Sequence, residues 1–73
     1  MTIRFNLRGE YIELNKLLKA TNVCASGGAA NQAIVEGLVK VDGNRELRKS
    51  CKIRPGQQVE FEGQAISVEK VAS

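Results

Sequence analysis

A chain of 73 residues has room for one domain and no large active-site cleft, because a protein of this length buries only a modest fraction of its surface. Its hydrophobic content of 42% and charged content of 26% are ordinary for a folded soluble protein, and no apolar run approaches the roughly 18 residues of a membrane span. We therefore expect a single domain over residues 1–73, no membrane association and, since the N-terminus lacks a secretory h-region, a cytoplasmic location.

The net charge of +3 is unevenly distributed along the chain. Residues 40–54 contain six basic and two acidic residues, a local net charge of +4, whereas the remainder contains five basic and six acidic residues. The six basic residues are Lys40, Arg45, Arg48, Lys49, Lys52 and Arg54. Such a concentration is typical of a surface that binds a polyanion, although a solvated surface without a partner would have the same composition.

The N-terminal part of the chain predicts a strand followed by a helix. Apolar side chains alternate with polar ones over residues 2–8, which indicates a half-buried strand that ends at Gly9. Residues 10–20 then show helical periodicity, and the side chains on the apolar face are Tyr11, Leu14, Leu17 and Leu18. Asn22 can adopt the left-handed conformation that a tight turn between two helices requires.

A second, short helix is predicted to begin at Ser26, whose hydroxyl can accept a hydrogen bond from a free N–H group of the first turn. Its packed face has small and apolar residues at helical spacing, namely Ala30, Ala33, Ile34 and Gly37. Gly37 also suits the left-handed position that ends a helix. The alternating residues 38–41 and the dipeptide Asp42-Gly43 then predict a β-hairpin.

The start of this helix, Ser26-Gly27-Gly28, has two interpretations. It is either an N-cap followed by small residues that pack against the first helix, or an anion site where free N–H groups face a phosphate. Two glycines in a first helical turn cost roughly 1 kcal/mol each relative to alanine, so close packing or close approach of a ligand has to offset them. A nucleotide-binding loop is excluded, because a preceding strand, a P-loop lysine and the GxGxxG spacing are all missing.

The remainder of the chain predicts further strands. Residues 44–46 form a short return strand, residues 47–52 an exposed basic loop, and Pro55-Gly56 fits a type II turn. The apolar residues of two final strands are Val59, Phe61, Ile66 and Val68. Because the strands after the second helix follow one another directly, we expect an α+β fold, with two packed helices against a small, mostly antiparallel sheet of four or five strands.

Residues 26–43 resemble the RNA-binding domain named after the fourth protein of the small ribosomal subunit, also called the alpha-L motif. The residues shared at the family's spacing are Ser26, Ala30, Ile34, Gly37, Val39, Val41 and Gly43. The family's first helix and its later strand and turn are matched by Leu14, Leu17, Ile53, Gly56 and Val59. The resemblance covers roughly residues 10–61. It implies an alpha-L fold and binding of structured RNA, ribosomal RNA above all, in a protein auxiliary to the ribosome or to RNA metabolism.

Within the family the chain is most similar to the small stand-alone YbcJ-type proteins, through Glu13-Leu14, Ser26-Gly27 and the residues 40–43 and 48–53. The family commonly carries arginine just after the capping serine and again after the alanine, and both face RNA. Here those positions are Gly27 and Asn31. Two phosphate contacts that the resemblance implies are therefore missing, so binding has to depend on another part of the chain.

Composition also indicates the kind of nucleic acid. The aromatic residues are Phe5, Tyr11 and Phe61, and two of them lie at inward strand positions, so no platform for stacking single-stranded bases is expected. Free N–H groups at a helix start and cations on an adjacent hairpin suit the phosphates and 2′-hydroxyls of structured RNA. The predicted RNA-binding residues are Ser26, Gly27, Gly28, Asn31, Gln32, Lys40, Arg45, Arg48, Lys49, Lys52 and Arg54.

Catalysis is not expected, because the chain has no histidine, no nucleophile beside a base and no paired carboxylates, and the hairpin turn explains Asp42. Cys24 and Cys51 match no metal spacing and are expected to be reduced, partly buried thiols, with a disulfide as the less favoured alternative. We therefore expect no cofactor, no metal and no small-molecule substrate. The alternative function is a protein–protein interaction module on an acidic partner surface, and nothing in the sequence requires more than a monomer.

Overall fold

The computed structural model describes residues 2–71, which form two helices and seven short strands. The elements in chain order are β1 (Thr2–Leu7), β2 (Ile12–Glu13), α1 (Leu14–Ala20), α2 (Gly27–Val35), β3 (Val39–Val41), β4 (Asn44–Arg45), β5 (Lys52–Ile53), β6 (Gln58–Phe61) and β7 (Gln64–Lys70). The α+β class predicted from the sequence is confirmed. Neither of these two helices is long and apolar enough to cross a membrane.

Five strands form one sheet in the order β1-β7-β6-β3-β4. Its neighbouring strands are antiparallel except for β1 and β7, which run parallel with Thr2 opposite Ala65 and Leu7 opposite Lys70. β2 and β5 form a separate two-stranded antiparallel sheet. The expectation of two helices on a small, mostly antiparallel sheet is therefore confirmed, and the parallel pair adds a contact between the first and last strands.

The first helix begins later than the sequence predicts. Helical periodicity predicts residues 10–20, whereas α1 starts at Leu14 and has seven residues. The prediction for the first four residues is wrong because the two residues before α1 form β2, whose backbone is paired with β5 from a distant part of the chain. Tyr11 consequently lies outside the helix and is 42% exposed, instead of lying on a buried helical face.

The core lies between the two helices and one face of the five-stranded sheet. Its largest fully buried side chains are Leu14, Leu17 and Leu18 of α1, Ile34 of α2, Ile53 of β5, and Val39, Val59, Ile66 and Val68 of the five-stranded sheet. The alternation of side chains along β3 and β6 places Lys40 and Glu60, which are paired in register, on the other face, where both are exposed. The sheet thus has one buried and one exposed face.

Left-handed residues occupy the turns that the sequence predicts. Asn22 has a φ of 61° after α1, and Gly37 has a φ of 76° after α2. Asp42 and Gly43 have φ values of 52° and 83°, which is the geometry of a type I′ hairpin turn between β3 and β4. The helix-to-hairpin passage predicted from residues 26–43 is therefore confirmed in its local conformation.

The N-cap of α2 can be tested by substitution. The Oγ of Ser26 accepts a hydrogen bond of 3.1 Å from the N–H of Ala29. Ser26→Ala removes this acceptor, and we expect the free energy of unfolding to fall by about 1 kcal/mol in urea denaturation. Ser26→Asn retains an acceptor and should unfold close to the wild type. Equal stability of all three proteins would contradict a stabilising cap.

Candidate nucleic-acid interface

The basic loop, residues 47–52, is held against the start of α1 by backbone hydrogen bonds. α1 has no side-chain N-cap. Instead, the N–H of Leu14 donates to the carbonyl of Cys51 at 2.8 Å, and the N–H of Asn15 donates to the carbonyl of Lys49 at 3.1 Å. The loop therefore satisfies two of the N–H groups that a helix start leaves without partners, and its own backbone is fixed in return.

Asn15 also connects this junction to α2. Its Nδ2 donates to the Oδ1 of the half-buried Asn31 at 3.1 Å. Lys49, the start of α1 and the middle of α2 therefore meet at one place. The neighbouring Gln32 is exposed and donates to the Oε2 of Glu36 at 2.6 Å. Asn31 thus has a structural contact between the helices, and RNA contact by Asn31 and Gln32 stays a prediction.

The two glycines at the start of α2 are not explained by packing. A Cβ added at Gly27 would have no heavy atom within 4 Å outside its own helix, and one at Gly28 would lie 3.9 Å from the Oγ of Ser26. Close packing against α1, one of the two interpretations of this segment, is therefore not what requires glycine here. The open space is compatible with the other interpretation, approach of a phosphate to the free N–H groups.

Arg48 of the basic loop is paired with Glu46, which directly precedes the loop. Its Nε and Nη2 donate to the two carboxylate oxygens of Glu46 at 3.0 and 3.2 Å, and its backbone N–H donates to the same carboxylate at 3.0 Å. These hydrogen bonds lower the pKa of Glu46 to about 2. The side chain of Arg48 is nevertheless 78% exposed, so the guanidinium lies at the surface with part of its charge compensated.

Arg45 lies over the C-terminal end of α2. A Cβ at Gly37 would be 3.0 Å from the Cδ and 3.3 Å from the Nε of Arg45, so a side chain at this position would displace the arginine. A helix C-terminus carries partial negative charge and attracts a guanidinium. Lys40 is paired in register with Arg45 in the hairpin, and both are exposed. Arg45 thus lies beside the end of α2, whereas Lys40 lies with Glu60 on the exposed face of the sheet.

Lys52 lies over the exposed ring of Tyr11, with its Nζ 5.0 Å from the ring centroid. Ile53 is buried whereas Lys52 and Arg54 are exposed, so these two cations project to the same side. The sequence prediction placed Tyr11 on a buried helical face and missed this contact. Ile12 is the sequence feature that indicates this difference, because it is an apolar residue that falls outside the apolar face of the predicted helix.

Two basic residues from outside residues 40–54 are brought next to Arg54. Arg8 follows β1 and Lys70 ends β7, and all three residues line one cleft. The sequence prediction omitted Arg8 and Lys70 because they lie near opposite ends of the chain. Only the parallel pairing of β1 with β7 brings them together, and no local pattern signals it.

Asp42 is held by hydrogen bonds within the fold, and the two cysteines are partly or fully buried. The carboxylate of Asp42 accepts hydrogen bonds from the backbone of Gln58 at 2.9 Å and the side chain of Gln57 at 3.1 Å, which lower its pKa. Cys24 is buried, Cys51 is half-buried, and both are free thiols whose pKa is raised by burial. Within the described part of the chain, no group of three or more His, Cys, Asp or Glu residues could hold a metal ion.

Comparison with known proteins agrees with this architecture. The S4 domain family matches residues 5–69. The chain is 50% identical over 58 residues to the "Putative RNA-binding protein YbcJ" of Escherichia coli (strain K12) and, equally, to a YbcJ protein of Shigella flexneri, over 80% of this chain and 83% of each relative. The solution structure of E. coli YbcJ, described as having an alpha-L motif involved in RNA binding, superposes with a TM-score of 0.68 at 44% identity over 93% of this chain and 85% of that one.

The ion pair between Glu46 and Arg48 predicts a pH dependence of stability. The pKa of Glu46 is about 2 in the folded protein, against an ordinary 4.5, so its stabilising contribution is present above about pH 4.5 and is lost as the pH falls toward 2. In Glu46→Gln we therefore expect a smaller loss of unfolding free energy than in the wild type between pH 4.5 and 2, measured by urea denaturation.

The matched control is Glu62→Gln, which removes an exposed carboxylate in the turn between β6 and β7. This variant should keep the pH dependence of the wild type. A Glu46→Gln profile that runs parallel to the wild-type profile would show that the bonds to Arg48 do not stabilise the folded loop.

Proposed function

Because the chain belongs to the S4 domain family, we propose that it is a non-catalytic RNA-binding protein that recognises structured RNA through the phosphate backbone. The observation that carries the proposal is the junction where the backbone of Lys49, the side chain of Asn15 and the side chain of Asn31 meet. This junction fixes the basic loop beside α2. Gly27 lies one turn before Asn31 on the same face of α2, so the open helix start is on the side of the junction.

The distribution of aromatic residues supports phosphate contacts over base stacking. Phe5 and Phe61 are packed against the core, which leaves Tyr11 as the exposed ring within the described residues. One ring cannot stack a series of bases in the manner of proteins that bind single strands. Cations and free N–H groups on a fixed backbone suit the regularly spaced phosphates and 2′-hydroxyls of a folded RNA.

The basic side chains differ in how freely they can bind a phosphate. Arg48 has to share its charge with Glu46, whereas the side chain of Lys49 is exposed on a backbone that α1 holds in place. A fixed backbone lowers the entropy cost of binding, because fewer degrees of freedom are lost. We infer that Lys49 provides a principal phosphate contact of the loop.

The proposal extends to the RNA and its setting. The RNA is ribosomal, the protein acts as an auxiliary of ribosome function or RNA metabolism, and it works in the cytoplasm as a monomer without a cofactor. RNA binding in general is supported by the descriptions of the E. coli relative and of the solved structure. The ribosomal part rests on the resemblance of residues 26–43 to a ribosomal-protein domain.

A protein partner is the second candidate. Leu38 before β3 and Leu47 after β4 are 50% and 56% exposed next to the cations of the hairpin. Exposed apolar residues beside basic ones are compatible with docking of an acidic protein surface. Binding to such a partner would survive nuclease treatment, whereas binding through RNA would not.

The salt dependence of RNA binding tests the proposal. Each neutralised phosphate contributes roughly −0.7 to −0.9 to the slope of log affinity against log salt, so three to five contacts predict a slope of about −2 to −4.5. We expect a slope in this range for a labelled structured RNA, with weaker binding to a single strand and to a DNA duplex. Equal, weak binding to all three nucleic acids would mean that the loop attracts any polyanion without preference for structured RNA. Absence of binding would favour a protein partner.

The contribution of Lys49 can be isolated by a neutral substitution. Lys49→Gln keeps the backbone carbonyl that binds Asn15 and removes one cation, so the slope should become shallower by about 0.7 to 0.9. The control Lys19→Gln removes an exposed cation from the last turn of α1 and should leave the slope at the wild-type value. Identical slopes for the two variants would contradict the contact assigned to Lys49.

A further inference from the structure

A second group of cations is assembled where β1 and β7 end side by side. Leu7 is paired in register with Lys70, and the N–H of Val71 donates to the carbonyl of Leu7 at 3.1 Å. Arg8 follows β1 directly, so it lies at the same end of the sheet as Lys70. Residues from the two ends of the sequence thus become neighbours in the fold.

The turn after β5 is fastened to this same part of β7. The N–H of Gly56 donates to the carbonyl of Val68 at 2.8 Å, and the N–H of Val68 donates to the carbonyl of Gln57 at 3.0 Å. Because these bonds hold the turn against β7, Arg54 is placed beside the end of that strand, near Lys70.

Arg8, Arg54 and Lys70 consequently line one open cleft of about 510 Å³, together with Gly9, Glu10 and Pro55. Three cations face one carboxylate there, so the cleft has a local net charge of +2. All three basic residues are exposed, and among the residues that the structure describes none of them forms an ion pair with a carboxylate. Their charges are therefore available to an anionic ligand.

The cleft is continuous with the basic loop. Arg54 lines the cleft and projects to the same side as Lys52, the last residue of the loop. Tyr11 connects the two regions, since its ring lies under the Nζ of Lys52 and it directly follows Glu10 of the cleft. A strip of cations therefore runs from the loop through Lys52 to the three basic residues of the cleft.

We propose that this cleft is a second phosphate-binding site, which holds a phosphodiester of the same RNA that the basic loop binds. The inference rests on the proposed function, and it enlarges the interface beyond the residues that the sequence predicts. An open cleft with cations from three separate segments suits one phosphate of a polymer, because the cations attract the phosphate while the chain on either side of it can leave the cleft.

The test compares two double variants that remove the same charge. Arg8→Gln with Lys70→Gln removes two cations of the cleft and leaves the basic loop unchanged. Arg4→Gln with Lys19→Gln removes two exposed cations elsewhere, of which Arg4 lies 3.5 Å from Glu69. With a structured RNA as the probe, we expect the salt slope of the cleft variant to be shallower than that of the wild type by about 0.7 to 0.9, the contribution of the one phosphate that the cleft holds, and that of the control to be unchanged.

Equal slopes for the wild type and the cleft variant would overturn the second site while leaving RNA binding by the loop intact. An equal reduction in both double variants would also overturn it, because the effect would then follow net charge alone. Amide NMR spectra of each variant establish that the fold is retained before binding is compared.

If the wild type binds no RNA, the proposed function fails, and inorganic phosphate then tests the cleft by itself. If phosphate shifts the Gly9 and Gly56 amide signals of the wild type but not those of the cleft variant, the cleft binds anions even though the protein does not bind RNA. If phosphate causes no such shifts, the cleft is not an anion site, and both the proposed cleft site and the proposed RNA interface are overturned. The two failures are therefore distinguishable.

Discussion

The backbone hydrogen bonds between the start of α1 and the basic loop are the constraint on which the surface depends. α1 has seven residues and no side-chain cap, and an isolated helix of this length is not stable in water. The loop in turn has few backbone partners of its own. The carbonyls of Lys49 and Cys51 accept hydrogen bonds from the first two N–H groups of α1, so the helix start and the loop satisfy each other's backbone hydrogen-bonding groups. The buried leucines of α1 then fix the junction to the core.

This arrangement holds several long basic side chains in place before any ligand binds. Glu46 positions Arg48, the C-terminal end of α2 lies under Arg45, and the ring of Tyr11 supports Lys52. Long cationic side chains lose much conformational freedom when they are immobilised, so contacts made in advance reduce the entropy cost of binding. The same contacts compensate part of the positive charge. They therefore lower the entropy cost of binding and, at the same time, weaken the electrostatic attraction to a phosphate.

Gly27 and Asn31 show how the fold is kept while the charges differ from the family's usual pattern. Asn31 joins α2 to α1 through Asn15, and Gly27 leaves the helix start open. Neither position carries the arginine that is common in the family. Positive charge lies instead on the hairpin, the basic loop and β5, and of these the loop and β5 are attached to the same junction through α1 and the small second sheet. The alpha-L fold is thus retained with both of these positions uncharged.

The sequence by itself determined the features that depend on neighbouring residues. The cap at Ser26, the Asp42-Gly43 turn and the alternation of β1 follow from local chemistry, and the excess of charge in residues 40–54 is a matter of counting. The start of α1, the exposure of Tyr11 and the cleft beside β7 could not be predicted in this way. Each depends on pairing between segments far apart in the chain, β2 with β5 or β1 with β7. Periodicity describes which face of a segment is apolar, whereas only tertiary structure decides which distant backbone takes its free hydrogen bonds.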